Sequence, residues 1–281
     1  MISPHIIAAP EFDLEKTLHS GQVFHWSAVG KGFAAAISEM PVYVEQEGPI
    51  LRVDKAQAAM IARYFALDHR LPVIIDTFRK DPTMDQALRF SKGLRIIRQP
   101  LWECLATFLT SAVKQVQHIR AMSLAIRKRF GRKLMGTGFE VYSYPSPEVL
   151  AKAPIEAFLE CRLGFRARNL LETAKIIASG EIDLEHLQGL PTEAVRAELC
   201  RLPGVGEKIA NCVLLFAYER LDAVPIDVWI GRVLKEIYFA NCSTVSMREL
   251  KAFSTEYFGC YAGYAQQYLF HHWRMTYRRR R

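Results

Sequence analysis

The stretch Leu202-Pro203-Gly204-Val205-Gly206-Glu207-Lys208 constrains the fold more than any other part of the chain. Gly204 and Gly206 allow positive φ and let another backbone approach closely. Residues 191–199 before the turn read as a short helix, and Ile209, Val213 and Phe216 after it form the core stripe of another. The local form is helix, tight glycine hairpin, helix. With Val205 between the glycines, successive N–H groups can point outward as an anion nest. The second helix adds its positive dipole end and its free first-turn N–H groups. A plain turn between two packed helices fits the same spacing.

Lys208 is out of place in such a turn. A cation at a helix N-terminus is disfavoured by roughly 0.3–1 kcal/mol. The same field disfavours the ammonium form, and partial burial does so further. A neutral amine is what a nucleophilic lysine needs. An exposed lysine tolerating a poor position is the other reading. Asp227, in Val224-Pro225-Ile226-Asp227-Val228, precedes an amphipathic stretch at 228–237 and fits an N-cap, with Pro225 fixing the approach. Capping and catalysis are compatible, because helix N–H groups hold a capping carboxylate rigid and ionised.

The remaining chain sets bounds. Its 281 residues are 50% hydrophobic, which fits a globular protein with a sizeable core. Thirty-seven basic residues against 29 acidic give +8, which favours a polyanionic partner. No apolar run approaches the roughly 20 residues of a membrane span, and no secretory leader pattern opens the sequence. Cysteines at 104, 161, 200, 212, 242 and 260 form no C-x-x-C pair, and no histidines have zinc spacing. Free thiols in a reducing compartment follow, with an intracellular location.

Residues 1 to about 53 read as β, with runs at 23–26, 32–37, 41–44 and 50–53 between turns at Gly30-Lys31-Gly32 and Glu47-Gly48-Pro49. Asp54 is placed to cap a helix over 55–65. From Gln99-Pro100 the pattern is helical, broken by a small hairpin between Gly131 and Pro147. The stretch 113–130 carries Lys114, His118, Arg120, Arg127, Lys128 and Arg129, a face fit either for a phosphate backbone or for solvent. The fold class is therefore α+β. A small antiparallel sheet with helices occupies 1–92, and a mostly helical domain occupies 93–281, with its hairpin motif at 191–218.

Taken together, Leu202 to Lys208 and Val224 to Val228 resemble the helix-hairpin-helix DNA glycosylase superfamily. Ser20-Gly21-Gln22-Val23-Phe24-His25-Trp26, Leu163-Gly164-Phe165-Arg166-Ala167-Arg168 and Tyr261-Ala262-Gly263-Tyr264-Ala265-Gln266 narrow the resemblance to the 8-oxoguanine DNA glycosylases. The resemblance implies an enzyme that flips a nucleotide from duplex DNA, attacks C1′ with Lys208, and nicks the strand through a Schiff base. Asp227 would stabilise charge on the sugar. By the same resemblance the Gly21 carbonyl accepts the N7 proton of the oxidised base. Cys212 and Phe270 pack its two faces, and Gln266 bonds its Watson–Crick edge. Gly204 and Gly206 meet the DNA backbone. Carbonyls of Cys200, Leu202 and Val205 would hold a structural cation, no cofactor would be required, and no iron–sulfur cysteine pattern is present. The partner would be double-stranded DNA containing an oxidised purine, bound by a monomer away from membranes.

The sequence also departs from the family. Val113 stands at the wedge asparagine and cannot hydrogen-bond a base edge. His118 stands at an arginine that reads the opposite cytosine, Phe165 at a tyrosine wedge, and Trp229 at a histidine near the substrate phosphate. Arg166 matches the second cytosine-reading arginine. Flipping is expected to survive, with opposite-base discrimination weaker or differently built. Three rivals stand beside this reading: a monofunctional glycosylase for alkylated bases, with Asp227 activating water; a non-catalytic helix-hairpin-helix DNA-binding protein; and a lysine-based aldolase, which the lack of a βα repeat disfavours.

Overall fold

The computed structural model describes residues 4–111, 115–136, 138–242 and 244–277. Val113, Lys114 and the arginine tail at 278–281 lie outside the described residues.

The N-terminal part contains β1 (Pro4–Ala8), α1 (Leu14–His19), β2 (Ser27–Val29), β3 (Gly32–Ile37), β4 (Met40–Glu47) and β5 (Ile50–Asp54). The strands form a five-stranded antiparallel sheet in the order β1-β5-β4-β3-β2. Alternation puts Val42, Val44, Leu51 and Val53 on one face, where they pack with Trp26, Tyr64 and Phe65. Helix α1 departs from the all-β reading of this region. Asp13 caps it, accepting from the Lys16 N–H at 2.8 Å.

Residues 23–26 are not a strand, although all four are buried. They run extended between two cores: Val23 and Trp26 pack into the sheet's core, and Phe24 into the helical one. Continuous burial here reports two apolar neighbours rather than a ladder. Asp54 caps as expected, accepting from the Ala56 N–H at 2.9 Å, but it opens a 3-10 turn at Lys55–Gln57 before α2 (Ala58–Tyr64) begins.

α3 (Leu71–Asp76) and α4 (Pro82–Phe90) precede residue 93, yet Leu71, Ile74, Met84 and Ala87 belong to the helical core. That core continues through α5 (Leu101–Thr110) and α6 (Val116–Phe130). The hairpin of β6 (Lys133–Gly136) and β7 (Phe139–Tyr142) follows, then α7 (Pro147–Ala151), α8 (Ile155–Glu160) and α9 (Arg166–Ala178). Next come α10 (Thr192–Cys200), α11 (Glu207–Phe216), α12 (Val228–Val233), α13 (Met247–Phe258) and α14 (Ala262–Tyr277). α5 and α11 are buried over nearly their whole length and form the centre of the helical part.

Two expectations change here. The helix predicted over 228–237 is α-helical only to Val233 and continues as a π-turn, Leu234–Tyr238. The wider turn brings the Tyr238 hydroxyl to the Asp81 carboxylate at 3.1 Å, tying this segment to the start of α4. Arg127 is not part of a phosphate-facing surface. It points inward and pairs with the buried Glu103 of α5, while Lys128 and Arg129 stay exposed. Among the described residues, no helix is long and apolar enough to cross a membrane.

Candidate active site

The hairpin between α10 and α11 places Lys208 in the first turn of α11. Gly204 has φ +78°, and a Cβ there would collide with the Asn169 amide, so glycine is required twice over. Gly206 differs from expectation. Its φ is −99°, ordinary extended backbone, and a Cβ there would meet open space. The turn itself therefore does not require glycine at this position. The expected nest is also reduced, because the Val205 N–H donates to the Leu202 carbonyl at 3.0 Å.

Asp227 caps α12, accepting from the Ile230 N–H at 2.8 Å. Burial pushes its carboxyl above the ordinary carboxylate range, against the pull of the Ile230 N–H and the Lys208 charge. Desolvation thus outweighs the cap, which sequence reasoning expected to hold the group low. Cys212 lies one helical turn beyond Lys208, and burial drives its thiol up to about 11. It stays protonated near neutral pH and does not compete with the amine as a nucleophile.

A cavity of about 490 Å³ gathers Lys208 and Asp227 with Gly21, Phe24, Phe108 and Phe270. Trp229, Arg232 and Arg274 lie along the same wall. A small recess of about 40 Å³ shares Gly21, Phe108, Lys208, Asp227 and Phe270 with this cavity and adds Cys212, Gln266 and Gln267. The Lys208 Nζ sits 5.8 Å from the Phe108 ring centroid. The Gln266 Oε1 is buried and has no hydrogen-bond partner among the described residues. An acceptor in that state costs stability until a donor reaches it, which marks the recess as a place for a polar ligand edge.

Gly21 arrives from the N-terminal part with φ +90°. A Cβ there would stand 2.9 Å from Cε1 of Phe270. Gly21→Ala therefore strains the backbone and displaces the ring together. A displacement on the order of 1 Å at a reacting site costs about 10²-fold in rate, and single-turnover base release should fall by that order. A wild-type rate would show that this close contact is irrelevant to the site.

The structure thus brings Gly21, Lys208, Cys212, Asp227, Gln266 and Phe270 to one cavity. His118 is exposed on α6. Phe165, at the start of α9, is 68% exposed, and the Arg166 guanidinium lies under its ring, 4.1 Å from the centroid. Arg166 itself is largely buried and donates to the Leu163 carbonyl at 3.4 Å. The Leu202 carbonyl, expected with those of Cys200 and Val205 to face a cation, already accepts one hydrogen bond. Among the described residues, no group of three His, Cys, Asp or Glu side chains could hold a metal.

Sequence reasoning missed Phe108, Phe24, Arg232 and Arg274. Arg274 follows Phe270 at i+4 and was legible in principle, since its guanidinium lies 5.5 Å from that ring centroid. Phe108 and Phe24 carried no local signal, because both read simply as core.

Comparison with known proteins places the chain in a family. Residues 5–105 match the family model described as 8-oxoguanine DNA glycosylase, N-terminal domain. A probable N-glycosylase/DNA lyase of Methanothermobacter thermautotrophicus is 29% identical, with 96% of each chain covered. The structure of MBOgg1 in complex with a low-affinity DNA ligand superposes with a TM-score of 0.92 at 32% identity, covering 97% of this chain and 96% of that one. The 8-oxoguanine glycosylase/lyase of Clostridium acetobutylicum, bound to double-stranded DNA with cytosine opposite 8-oxoguanine, gives 0.91 at 29% identity, covering 99% and 98%. Residues 108–254, more than half of the chain, match the remaining model, and the chain belongs to the HhH-GPD superfamily of base excision DNA repair proteins.

Proposed function

We infer that this protein is a DNA glycosylase and abasic-site lyase that releases 8-oxoguanine from duplex DNA and then cleaves the strand. The observation that carries the reading is the meeting of Lys208 and Asp227 with Gly21, Cys212, Gln266 and Phe270 around one recess that opens on the larger cavity. The names of the full-length relatives support it.

A stacked nucleotide hides its glycosidic bond, so the target must be flipped out at a cost of a few kcal/mol. The Lys208 amine forms a bond to C1′ as the bond from C1′ to the base breaks, and the bonding electrons leave with the base. Opening of the sugar ring gives a Schiff base, which acidifies the C2′ proton. Loss of that proton expels the 3′ phosphate and nicks the strand. Asp227, rigid at the α12 cap, stabilises the positive charge that grows on sugar and nitrogen. The Gly21 carbonyl accepts the N7 proton that distinguishes 8-oxoguanine from guanine. Gln266 bonds the Watson–Crick edge, which supplies its buried oxygen with a partner.

The Gly204–Gly206 hairpin meets a DNA phosphate, with Gly206 giving room for the approach. Carbonyls of Cys200, Leu202 and Val205 would hold a structural cation there. The Leu202 carbonyl keeps one lone pair for it, and no catalytic step needs it. Phe165 and His118 meet the duplex around the flipped nucleotide. The enzyme would act as a monomer. A monofunctional enzyme would need no amine facing the cavity, and a purely DNA-binding protein would need no cavity.

Borohydride trapping on duplexes with a single 8-oxoguanine opposite each of the four bases tests the reading. A covalent protein–DNA adduct is expected, and its yield opposite each base shows what Val113 and His118 change in opposite-base discrimination. Base release without any adduct would favour water activation by Asp227 instead.

A further inference from the structure

The Gly21 carbonyl is useful only if it points at the base, and glycine is the residue least able to keep it there. Gly21 stands at φ +90°, and without a Cβ it restrains the Gly21–Gln22 peptide less than any other residue would. A flip of that peptide exchanges the Gly21 carbonyl for the Gln22 N–H. A carbonyl attracts the N7–H of 8-oxoguanine, whereas an N–H attracts the bare N7 acceptor of guanine. A flipped peptide would therefore favour the undamaged base.

The neighbouring peptide planes are both fixed by glutamine amides. On one side, Gln267 of α14 is buried and its Nε2 donates to the Ser20 carbonyl at 3.1 Å. On the other, the Gln99 Nε2 donates to the Gln22 carbonyl at 2.8 Å. The Gln22 side chain is itself pinned, donating to the Arg95 carbonyl at 2.8 Å and accepting from the Ile97 N–H at 2.9 Å. Two turns beyond Gln267, Arg274 donates to the His19 carbonyl, so the same helix grips two successive carbonyls ahead of Gly21.

We propose that Gln267 is a positioning residue for lesion recognition. With Gln99 it locks the peptide planes on either side of the Gly21 carbonyl, so that this carbonyl and not the Gln22 N–H faces N7 of the flipped base. The inference rests on the proposed 8-oxoguanine reading and adds to it the residues that hold the reading group in place.

The test separates base recognition from sugar chemistry. Gln267→Met keeps the volume and removes the donor. Loss of one buried hydrogen bond should lower single-turnover release of 8-oxoguanine about tenfold. Nicking of a preformed abasic site, which puts no base beside Gly21, should keep its wild-type rate. Gln99→Met should give the same split from the other side and serves if the first variant does not fold. An equal fall in both activities would show a merely structural role, and no fall in either would show that the planes need no lock; each overturns the proposal. A wild-type protein that nicks abasic DNA but releases no 8-oxoguanine defeats the underlying reading, and the inference falls with it.

Discussion

Lys208→Gln should bind lesion-containing duplex yet release no base, nick no strand and form no borohydride adduct. Removing a nucleophile that acts in concert with its partners costs roughly 10⁴-fold or more in rate. The geometry leaves no substitute. The Cys212 thiol, one turn away, is held protonated by burial, and Asp227 is a capped carboxylate at the same cavity. The substitution should not harm folding, because it removes a cation from a helix N-terminus, where a positive charge costs roughly 0.3–1 kcal/mol. Loss of activity with unchanged thermal stability would therefore be chemical. Single-turnover gel assays of both steps, beside a binding isotherm, measure this directly. Normal turnover by the variant would end the lysine mechanism.

The second large effect lies away from the chemistry. Glu103→Ala should lower the unfolding free energy by about 3–5 kcal/mol, the usual cost of leaving one member of a buried ion pair alone. Glu103 holds two groups at once: it pairs with Arg127, which is 2% exposed, and its Oε1 lies 3.3 Å from His25 Nδ1. Burial raises the Glu103 pKa even against the Arg127 charge, and it pushes that of His25 well below the ordinary imidazole value. Without the carboxylate, Arg127 keeps the Tyr142 carbonyl at 3.2 Å and the Tyr144 ring at 5.2 Å, neither of which neutralises it. His25 follows Phe24, a cavity wall, so the loss should also loosen the Gly21 loop. Urea midpoints at constant m-value give the number. The double substitution Glu103→Leu with Arg127→Leu should recover much of the loss, since the pair's desolvation cost is removed with its attraction. A single-variant loss under about 1 kcal/mol would mean that Arg127 finds water or another partner.

These outcomes follow features of different legibility. The hairpin, the position of Lys208 and the Asp227 cap were readable because each is local. Glycine spacing, a cap residue and a 3.6-residue stripe act within a few residues, and the chain carries them whatever surrounds it. β3, β4 and β5 were readable for the same reason, through short apolar runs between turn residues, whereas β1 and β2 were not. The roles of Gly21, Cys212, Gln266 and Phe270 were legible only through resemblance, since a glycine before an extended run or a phenylalanine on a helix looks like ordinary structure.

Local signals misled where burial came from two directions. Residues 23–26 read as a strand because they are a short, largely apolar run, but one core takes Val23 and Trp26 and another takes Phe24. Arg127 sits in a basic run yet turns inward, because its partner Glu103 is on another helix. The desolvation that raises Asp227 likewise exists only once the fold buries it.

By itself, then, the sequence determined the α+β order of elements, the hairpin, and the placing of an amine and a carboxylate at two helix starts. Only the tertiary structure decided that these meet Gly21 at one cavity, and that Gln267 reaches Ser20 across 247 residues of chain to fix the turn beside it. The physical reason is that hydrogen-bond capping and side-chain periodicity are properties of short segments, whereas burial, pairing and peptide orientation depend on which distant segments pack together.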